Sequence, residues 1–277
     1  FKLKYPDGYR CKRCRYELHH EIAHRDAWQC GGCGYQESAK AGTIFHKSRI
    51  KLTDWFQAIY EITISKGGVS ALELQSRLGF GSYKTAWGLL HKLRRAMQLR
   101  EEAGGRLGGS IELDGAMFGR RKTGNQTTAY FAVEVTRNAQ GKECAGRLKA
   151  SKVTKQRRDD AFWFAEENLA DGTVVRTDAG RDLVHLGQHL DLDIQPLNMS
   201  RDASLNGVWL KWVHRVIGNI KGALHGVHHG VSQKYLDAYL AEHCYRFNRR
   251  ASRQKLQSRL LQACVVAPPT TLADIAA

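Results

Sequence analysis

The sequence predicts a multidomain α+β protein, with a cysteine-rich β unit, then a helical unit, then an α/β domain. Two pairs of cysteines fall within the first 33 residues. Residues 53–98 have apolar side chains at helical spacing, whereas alternating and apolar segments typical of strands begin at residue 110. These changes of pattern indicate separate folding units. We expect domains at 1–48, 49–100 and 108–252, followed by a tail at 253–277.

The charge is large and unevenly distributed. The chain has 277 residues and a net charge of +16. Residues 1–100 carry net +10 and residues 201–277 net +7, whereas residues 101–200 carry net −1. A strongly basic balance favours a polyanionic partner, and double-stranded DNA is the partner we expect. The chain has no visible signal peptide and no apolar stretch long enough for a membrane span, so we expect a cytoplasmic, nucleoid-associated protein without a membrane partner.

The N-terminal cysteines have the spacing of a zinc ribbon. Cys11 and Cys14 form one CxxC pair, and Cys30 and Cys33 form a second pair after 15 intervening residues. Each CxxC turn points two sulfurs at one ion, so the four thiolates predict a structural Zn²⁺ site. Two disulfides or incidental cysteines are the alternative interpretations. Basic side chains within the first pair are expected to face DNA phosphate: Lys12 and Arg13.

The second unit has the pattern of a helix-turn-helix. Residues 53–65 predict a first helix, a capping box over 70–73 opens a short second helix, and a glycine turn at 79–81 precedes a basic helix over 83–98. The start of the last helix would contact base edges, through Tyr83, Lys84 and Thr85. Its basic side would hold phosphates, through Lys92, Arg94 and Arg95. An ordinary three-helix packing unit with a solvated basic face is the alternative.

Two aspartates stand on predicted strands of the third domain. The pattern predicts strands over 110–114, 129–136, 144–150 and 173–178, with a helix over 159–169 before the last strand. This order favours an α/β domain of the ribonuclease H-like type, in which Asp114 and Asp178 lie side by side. Adjacent carboxylates form a hard-oxygen site for catalytic Mg²⁺ or Mn²⁺. Taken singly, each aspartate is as easily a helix cap or a turn residue.

Downstream of Asp178, three polar residues follow at a suggestive spacing. His214 comes after 35 intervening residues, and Lys221 follows His214 by seven. Residues seven apart share one face of a helix, so Lys221 would lie on the same face as His214. Asn219 lies off that face by roughly 140°. A packed or surface histidine is the alternative interpretation of His214.

Several segments together carry a resemblance to a known family. They are 35–38 (YQES), 41–46 (AGTIFH), 78–87 (LGFGSYKTAW), 212–221 (WVHRVIGNIK), 226–232 (GVHHGVS) and 245–250 (YRFNRR). The chain resembles the ISXO-type group of bacterial insertion-sequence transposases over about residues 5–250. The group joins a zinc ribbon and a helix-turn-helix to a DDE-like domain.

The resemblance implies specific roles. It implies binding to the element's terminal repeats and to target DNA, metal-dependent cleavage and strand transfer, and a homo-oligomer on DNA. It implies Asp114, Asp178 and His214 as the metal-binding triad, with Lys221 holding a phosphate beside the metals. Asn219 stays open as the other candidate for the third ligand. The group usually has a glutamate after the first aspartate, where this chain has Gly115. A histidine ligand supplies no negative charge, so Mn²⁺ should be tolerated at least as well as Mg²⁺.

Other readings stay open at this point. The departure at Gly115 leaves room for a catalytically degraded copy that acts as a DNA-binding regulator. A tyrosine recombinase would need a nucleophilic tyrosine, and Tyr235 and Tyr239 lie at helical core spacing instead. Near the end, a basic row either contacts the DNA backbone or forms an ordinary solvated face, through Arg246, Arg249 and Arg250. We have no functional account of the tail.

Overall fold

The protein is described from a computed structural model that covers residues 1–119, 126–153, 158–198, 205 and 207–276. Internal contacts divide the chain into two compact units. Unit 1 contains residues 1–64, 71–99 and 254–277, and unit 2 contains residues 65–70 and 100–253. The mixed α+β class predicted from the sequence is confirmed. The division into four domains stays a prediction.

Unit 1 begins with a small antiparallel sheet and continues as helices. Strands β1 (His19–Ile22), β2 (Ala27–Cys30) and β3 (Gln36–Ser38) pair in that order. Helices α1 (Leu52–Ile64), α2 (Ala71–Leu78) and α3 (Tyr83–Glu102) follow. Trp55, Ile59 and Ile62 are buried on α1, as their spacing predicts. On α2, Leu74 is buried, whereas Leu72 is 66% exposed.

The end of the chain also packs in unit 1. Helix α8 (Leu256–Val266) contacts α1, and the backbone N–H of Ile44 donates to the carbonyl of Cys264 at 3.3 Å. Helix α9 (Leu272–Ala276) brings Leu272 against Gly88 of α3, where a Cβ would lie 2.5 Å from a leucine methyl. The absence of a side chain at Gly88 therefore allows this close approach. The tail is thus part of the packing of unit 1.

Unit 2 is built on a five-stranded mixed sheet. Its strands are β4 (Ser110–Phe118), β5 (Thr127–Arg137), β6 (Glu143–Val153), β7 (Thr173–Asp178) and β8 (Leu192–Leu197). The order across the sheet is β6-β5-β4-β7-β8. Neighbours are antiparallel from β6 to β4, whereas β7 runs parallel to both β4 and β8. The four strands predicted from the sequence are present, and β8 is one that the sequence pattern did not predict.

Helices cover both faces of this sheet. Phe131 and Val133 of β5 pack with α6 (Lys211–Gly226) and α7 (Leu236–Asn248), whereas Tyr130 and Ala132 pack with α4 (Arg158–Asn168) and α5 (Arg181–Val184). Successive residues of a strand point to opposite faces, so the apolar run of β5 serves two cores. Among the residues described, none of the helices combines the length and apolar character that crossing a membrane requires.

Candidate functional site

Asp114 and Asp178 stand on neighbouring parallel strands. The register pairs Leu113 of β4 with Thr177 of β7, one residue before each aspartate. The same parallel pairing therefore brings the two aspartates to corresponding positions, as the sequence predicted. The backbone N–H of Gly115 donates to Asp114 Oδ1 at 2.8 Å, and that of Gly180 donates to Asp178 Oδ1 at 3.1 Å. These bonds fix one oxygen of each carboxylate and leave the other to a further partner.

Helix α6 carries His214 to the same place. Its Nε2 lies 3.2 Å from Asp114 Oδ2, with the imidazole about half exposed. The pKa of His214 is raised, chiefly because Asp114 accepts its hydrogen bond. The pKa of Asp178 is also raised, first by burial and then by the nearby charges of Asp114 and Asp182. An excess of negative charge at this point favours a cation, either a proton or a metal ion.

The three side chains line one open cavity of about 530 Å³, together with Gly180 and Asn198. Two carboxylates and an imidazole suit Mn²⁺ or Mg²⁺ in chemical type. The donor atoms of the three do not all lie within 4.8 Å of one another: within the described ranges, the four cysteines are the one group of three or more potential ligands that does. The residue types therefore fit a divalent ion, and their donor atoms are spread more widely than those of the cysteine cluster.

Glu112 fixes the start of α6, and the sequence analysis missed it. Its side chain is 1% exposed, and its Oε2 accepts the backbone N–H groups of Trp212 at 2.6 Å and Val213 at 2.8 Å. Burial raises the pKa of Glu112, although the two backbone donors oppose that shift. The alternation of β4 could have revealed it, because residues 112 and 114 share one face of a strand. A carboxylate on the face of a strand that packs against the core needs a hydrogen-bond donor as a partner.

Asp182 is a second residue that the sequence analysis missed. It lies on α5, and its Oδ2 accepts the hydroxyl of Tyr130. A Cβ added to Gly180 would approach the carboxylates of both Asp178 and Asp182, so this glycine lies between them. A Cβ added to Gly115 would lie 3.1 Å from the ring of Tyr130. The ring of Tyr130 therefore lies against the position that a side chain at residue 115 would take.

Lys221 and Asn219 do not line the cavity of the aspartates. Lys221 is exposed on α6 and lines a second cavity of about 830 Å³, in which its Nζ lies 5.6 Å from the ring centre of Phe118. His225 and His229 line this second cavity too. Asn219 is exposed and lines neither cavity. His214 and Lys221 share a face of α6, but they line two different cavities of unit 2.

The four predicted zinc ligands converge in unit 1. The sulfurs of Cys11, Cys14, Cys30 and Cys33 all lie within 4.8 Å of one another. Cys11 Sγ is 3.7 Å from Cys33 Sγ, and Cys14 Sγ is 3.5 Å from Cys30 Sγ. All four are free thiols, so the alternative of two disulfides is wrong. The cluster fits a tetrahedral Zn²⁺ site.

The residues predicted to contact DNA from unit 1 differ in accessibility. Tyr83 and Lys84 are exposed at the start of α3, and Arg13 is exposed beside the cysteines, whereas Thr85, Lys92 and Arg95 are partly buried. Lys12 lies 2.8 Å from the buried carboxylate of Glu37. The sequence analysis predicted that the basic side of α3 faces solvent. Arg94, however, is only 1% exposed. That interpretation was wrong at Arg94, because the helix buries more than its apolar stripe.

The arginines at the end of unit 2 bond within the protein. Arg246 donates to the carbonyls of Ser65 and Lys66, and Arg249 donates to Glu101. Arg250 donates to the carbonyls of Ala145 and Gly146. Of the two interpretations of this row, neither the DNA-contacting nor the simply solvated face anticipated these bonds. Contact of these three arginines with DNA stays a prediction.

Comparison with known proteins adds one match. A family model described as the ISXO2-like transposase domain matches residues 104–248, just over half of the chain and a segment that contains Asp114, Asp178 and His214. A comparison with curated proteins found no match.

Proposed function

Because the chain belongs to the ISXO2-like transposase family, we propose that it binds the ends of an insertion sequence and catalyses metal-dependent cleavage and strand transfer of DNA. The observation that supports catalysis is the convergence of Asp114, Asp178 and His214 on one open cavity. The net charge of +16 supports DNA as the substrate. As a DNA-acting protein of this family, it would work in the bacterial cytoplasm.

The chain's residues would divide the chemistry among them. Asp114 and Asp178 supply the negative charge that holds a divalent cation, and His214 supplies a neutral nitrogen once it has lost its proton. A bound Mg²⁺ or Mn²⁺ supplies Lewis acidity that activates the attacking oxygen and stabilises the leaving one. The contact between Asp114 and His214 orients the imidazole, and the N–H of Gly180 orients Asp178. Water would attack the phosphorus at the element end and displace the 3′ oxygen, which leaves as a 3′-hydroxyl. That hydroxyl would then attack a phosphorus of target DNA and displace the 3′ oxygen of the target strand.

Recognition of the element's ends would come from unit 1. The cysteine cluster, with Zn²⁺ bound, would hold the β1–β3 sheet in shape, since so small a sheet cannot bury a sufficient core by itself. Tyr83 and Lys84 stand exposed at the first turn of α3, the place from which a recognition helix reads base edges. Arg13 would contact phosphate beside the cluster. Cleavage at two ends would require at least a homodimer on DNA.

A DNA-binding regulator that has lost catalysis is the second proposal. Gly115 favours it, because this chain lacks the carboxylate that the family usually has there. The two proposals agree on unit 1 and differ in whether the cavity of Asp114 cuts DNA.

One experiment separates them. Duplex DNA with the terminal repeats that flank the coding sequence is mixed with the protein and Mg²⁺ or Mn²⁺, and nicking is followed on gels. We expect nicking by wild type that is lost in Asp114→Ala and Asp178→Ala and reduced in His214→Ala, with end binding retained in each. End binding by wild type without nicking under either metal would overturn the transposase proposal in favour of the regulator. A covalent protein–DNA adduct would indicate a recombinase.

A further inference from the structure

In the described part of the chain, the second cavity of unit 2 is lined by basic side chains and by no acidic ones. Lys221 and His225 stand one turn apart on α6, and His229, which follows this helix, lines the same cavity. None of the residues that line it, all within the described chain, is an aspartate or a glutamate. Three side chains that donate hydrogen bonds or carry positive charge, with no acid beside them, suit a phosphate group rather than a metal ion.

The cavity also has a defined position along α6. His214, Lys221 and His225 lie within about 40° of one another around the helix axis. Lys221 is about 10 Å beyond His214 along that axis and His225 about 16 Å beyond it. One strand of a DNA duplex advances about 3.4 Å per nucleotide. DNA that lies along this face with its cleaved bond at His214 therefore brings the phosphates three to five nucleotides away to the second cavity.

We propose that this cavity binds the phosphodiester backbone of a DNA strand, three to five nucleotides from the bond that is cleaved beside Asp114 and Asp178. The proposal rests on the proposed function for the position of the cleaved bond. Lys221 thus holds a flanking phosphate and not the one that reacts. Such contacts position the strand and carry no information about its sequence.

The test is a binding experiment with neutralised phosphates. End DNA carries a single uncharged methylphosphonate at each position in turn, and its affinity is measured by fluorescence anisotropy with Ca²⁺ in place of Mg²⁺. For wild type we expect weaker binding when the modification lies three to five nucleotides from the cleaved bond. For the double variant Lys221→Gln, His225→Gln we expect that position-specific loss to disappear. The dependence of log affinity on log salt concentration should become shallower by about one unit for each phosphate released.

Arg215→Gln is the matched control. It removes one positive charge from an exposed position of α6 that lines neither cavity. This variant should keep the full effect of the modification. Equal sensitivity of wild type and the double variant, or the same loss in Arg215→Gln, would overturn the proposal. If wild type nicks DNA but the position-specific loss of affinity is absent, the transposase proposal stands and the cavity proposal fails. If that loss is present without nicking, the cavity proposal stands and the transposase proposal fails.

A different observation carries a second inference, on Glu112. Strand β4 places Glu112 and Asp114 on one face, and Glu112 accepts the N–H groups of Trp212 and Val213, the two residues immediately before His214 in α6. A carboxylate at the start of a helix also complements the positive end of the helix dipole. We infer that Glu112 is a positioning residue: it ties α6 to β4 so that His214 meets Asp114.

The replacement Glu112→Gln tests this inference against Glu112→Ala. Both N–H groups donate to the single atom Oε2, so an amide oxygen can accept the same bonds while the charge is lost. In single-turnover nicking at saturating DNA, we expect Glu112→Ala to lose at least tenfold in rate without a change in DNA affinity, and Glu112→Gln to recover most of that rate. Hydrogen exchange at residues 211–214 should rise in Glu112→Ala and stay near wild type in Glu112→Gln.

The matched control is Glu242→Ala, since Glu242 is also 1% exposed in unit 2 but pairs with Arg246. It should lower thermal stability without changing the rate per folded molecule. The inference would be overturned if hydrogen exchange at 211–214 in Glu112→Ala were as slow as in wild type. It would also be overturned if Glu112→Ala and Glu112→Gln nicked DNA at the same rate.

Discussion

The two proposed metal sites are built in opposite ways. In unit 1, four sulfurs already lie within 4.8 Å of one another, and Cys11 and Cys30 are buried. In unit 2, Asp114 contacts His214 but the three donors line an open cavity. The cysteines come in pairs within tight turns, so local backbone geometry brings each pair together. The donors of unit 2 come from two strands and a helix, so only the tertiary fold brings them together.

The difference separates holding a fold from performing chemistry. A closed set of four ligands leaves no position for substrate, as in structural zinc sites, whereas a catalytic site keeps positions open. A site that must admit a DNA phosphate cannot be complete without it. We therefore expect loss of metal to unfold the first region and to leave the second region folded but inactive. Four predictions test this contrast, in order of decreasing effect.

The largest effect should follow the loss of zinc from unit 1. Structural Zn²⁺ in small domains binds with about 10–16 kcal/mol of apparent free energy, which is also folding free energy. We expect Cys30→Ser, or a strong chelator, to abolish hydrogen-exchange protection of β1–β3 while β4–β8 keep theirs. Cys144→Ser, a cysteine outside the cluster, is the control and should change neither. Persistent protection of β1–β3 after zinc removal would show that the cluster is not structural.

The second effect concerns Asp178. Because the metals would contribute several kcal/mol to the transition state, Asp178→Asn should slow nicking by about a thousandfold or more. Burial and the charges of Asp114 and Asp182 raise the pKa of Asp178, so its ionised form strains the metal-free fold. The melting temperature without metal should therefore stay level or rise. The exposed Asp191→Asn should change neither quantity, and a large fall in melting temperature for Asp178→Asn would contradict the contrast.

The third effect concerns Gly115. The replacement Gly115→Glu restores the usual family residue, but its Cβ would lie 3.1 Å from the ring of Tyr130. Overpacking of this kind typically costs about 1–3 kcal/mol, which chemical denaturation would detect. Tyr130→Ser itself opens a cavity in the core, but it should cost less in the Gly115→Glu background than in wild type, because it also removes the ring that the new Cβ meets. If Gly115→Glu alone is as stable as wild type, Tyr130 does not exclude a side chain there.

The smallest effect is a pH dependence of metal binding in unit 2. The hydrogen bond to Asp114 raises the pKa of His214, so a proton competes with the metal up to a higher pH than for an ordinary histidine. Mn²⁺ affinity, measured by electron paramagnetic resonance, should fall about tenfold per pH unit below that pKa. His214→Gln should bind Mn²⁺ more weakly and with a flatter profile. An unchanged profile in His214→Gln would remove His214 from the ligands.

Local patterns predicted more of this molecule than long-range contacts did. CxxC spacing, strand alternation and the apolar face of α1 each depend on neighbours a few residues apart, and these predictions match the structure. Glu112 meets residues 100 positions away, and Arg246 meets the carbonyl of Ser65. Periodicity shows that a basic residue stands off the apolar stripe, but not whether another element covers it. Arg94 is buried, and Arg246, Arg249 and Arg250 bond within the protein; periodicity shows neither.

The tail has a consequence for synthesis. Unit 1 uses residues 254–277, with α8 packed on α1 and the Cys264 carbonyl bound to Ile44. A ribosome therefore releases the first helices long before their last partner exists, while all of unit 2 emerges in between. The surface of α1 that α8 covers therefore stays exposed in the nascent chain until α8 has been synthesised. A chain truncated before residue 254 would keep all residues of unit 2 and would lose α8 and α9 from unit 1.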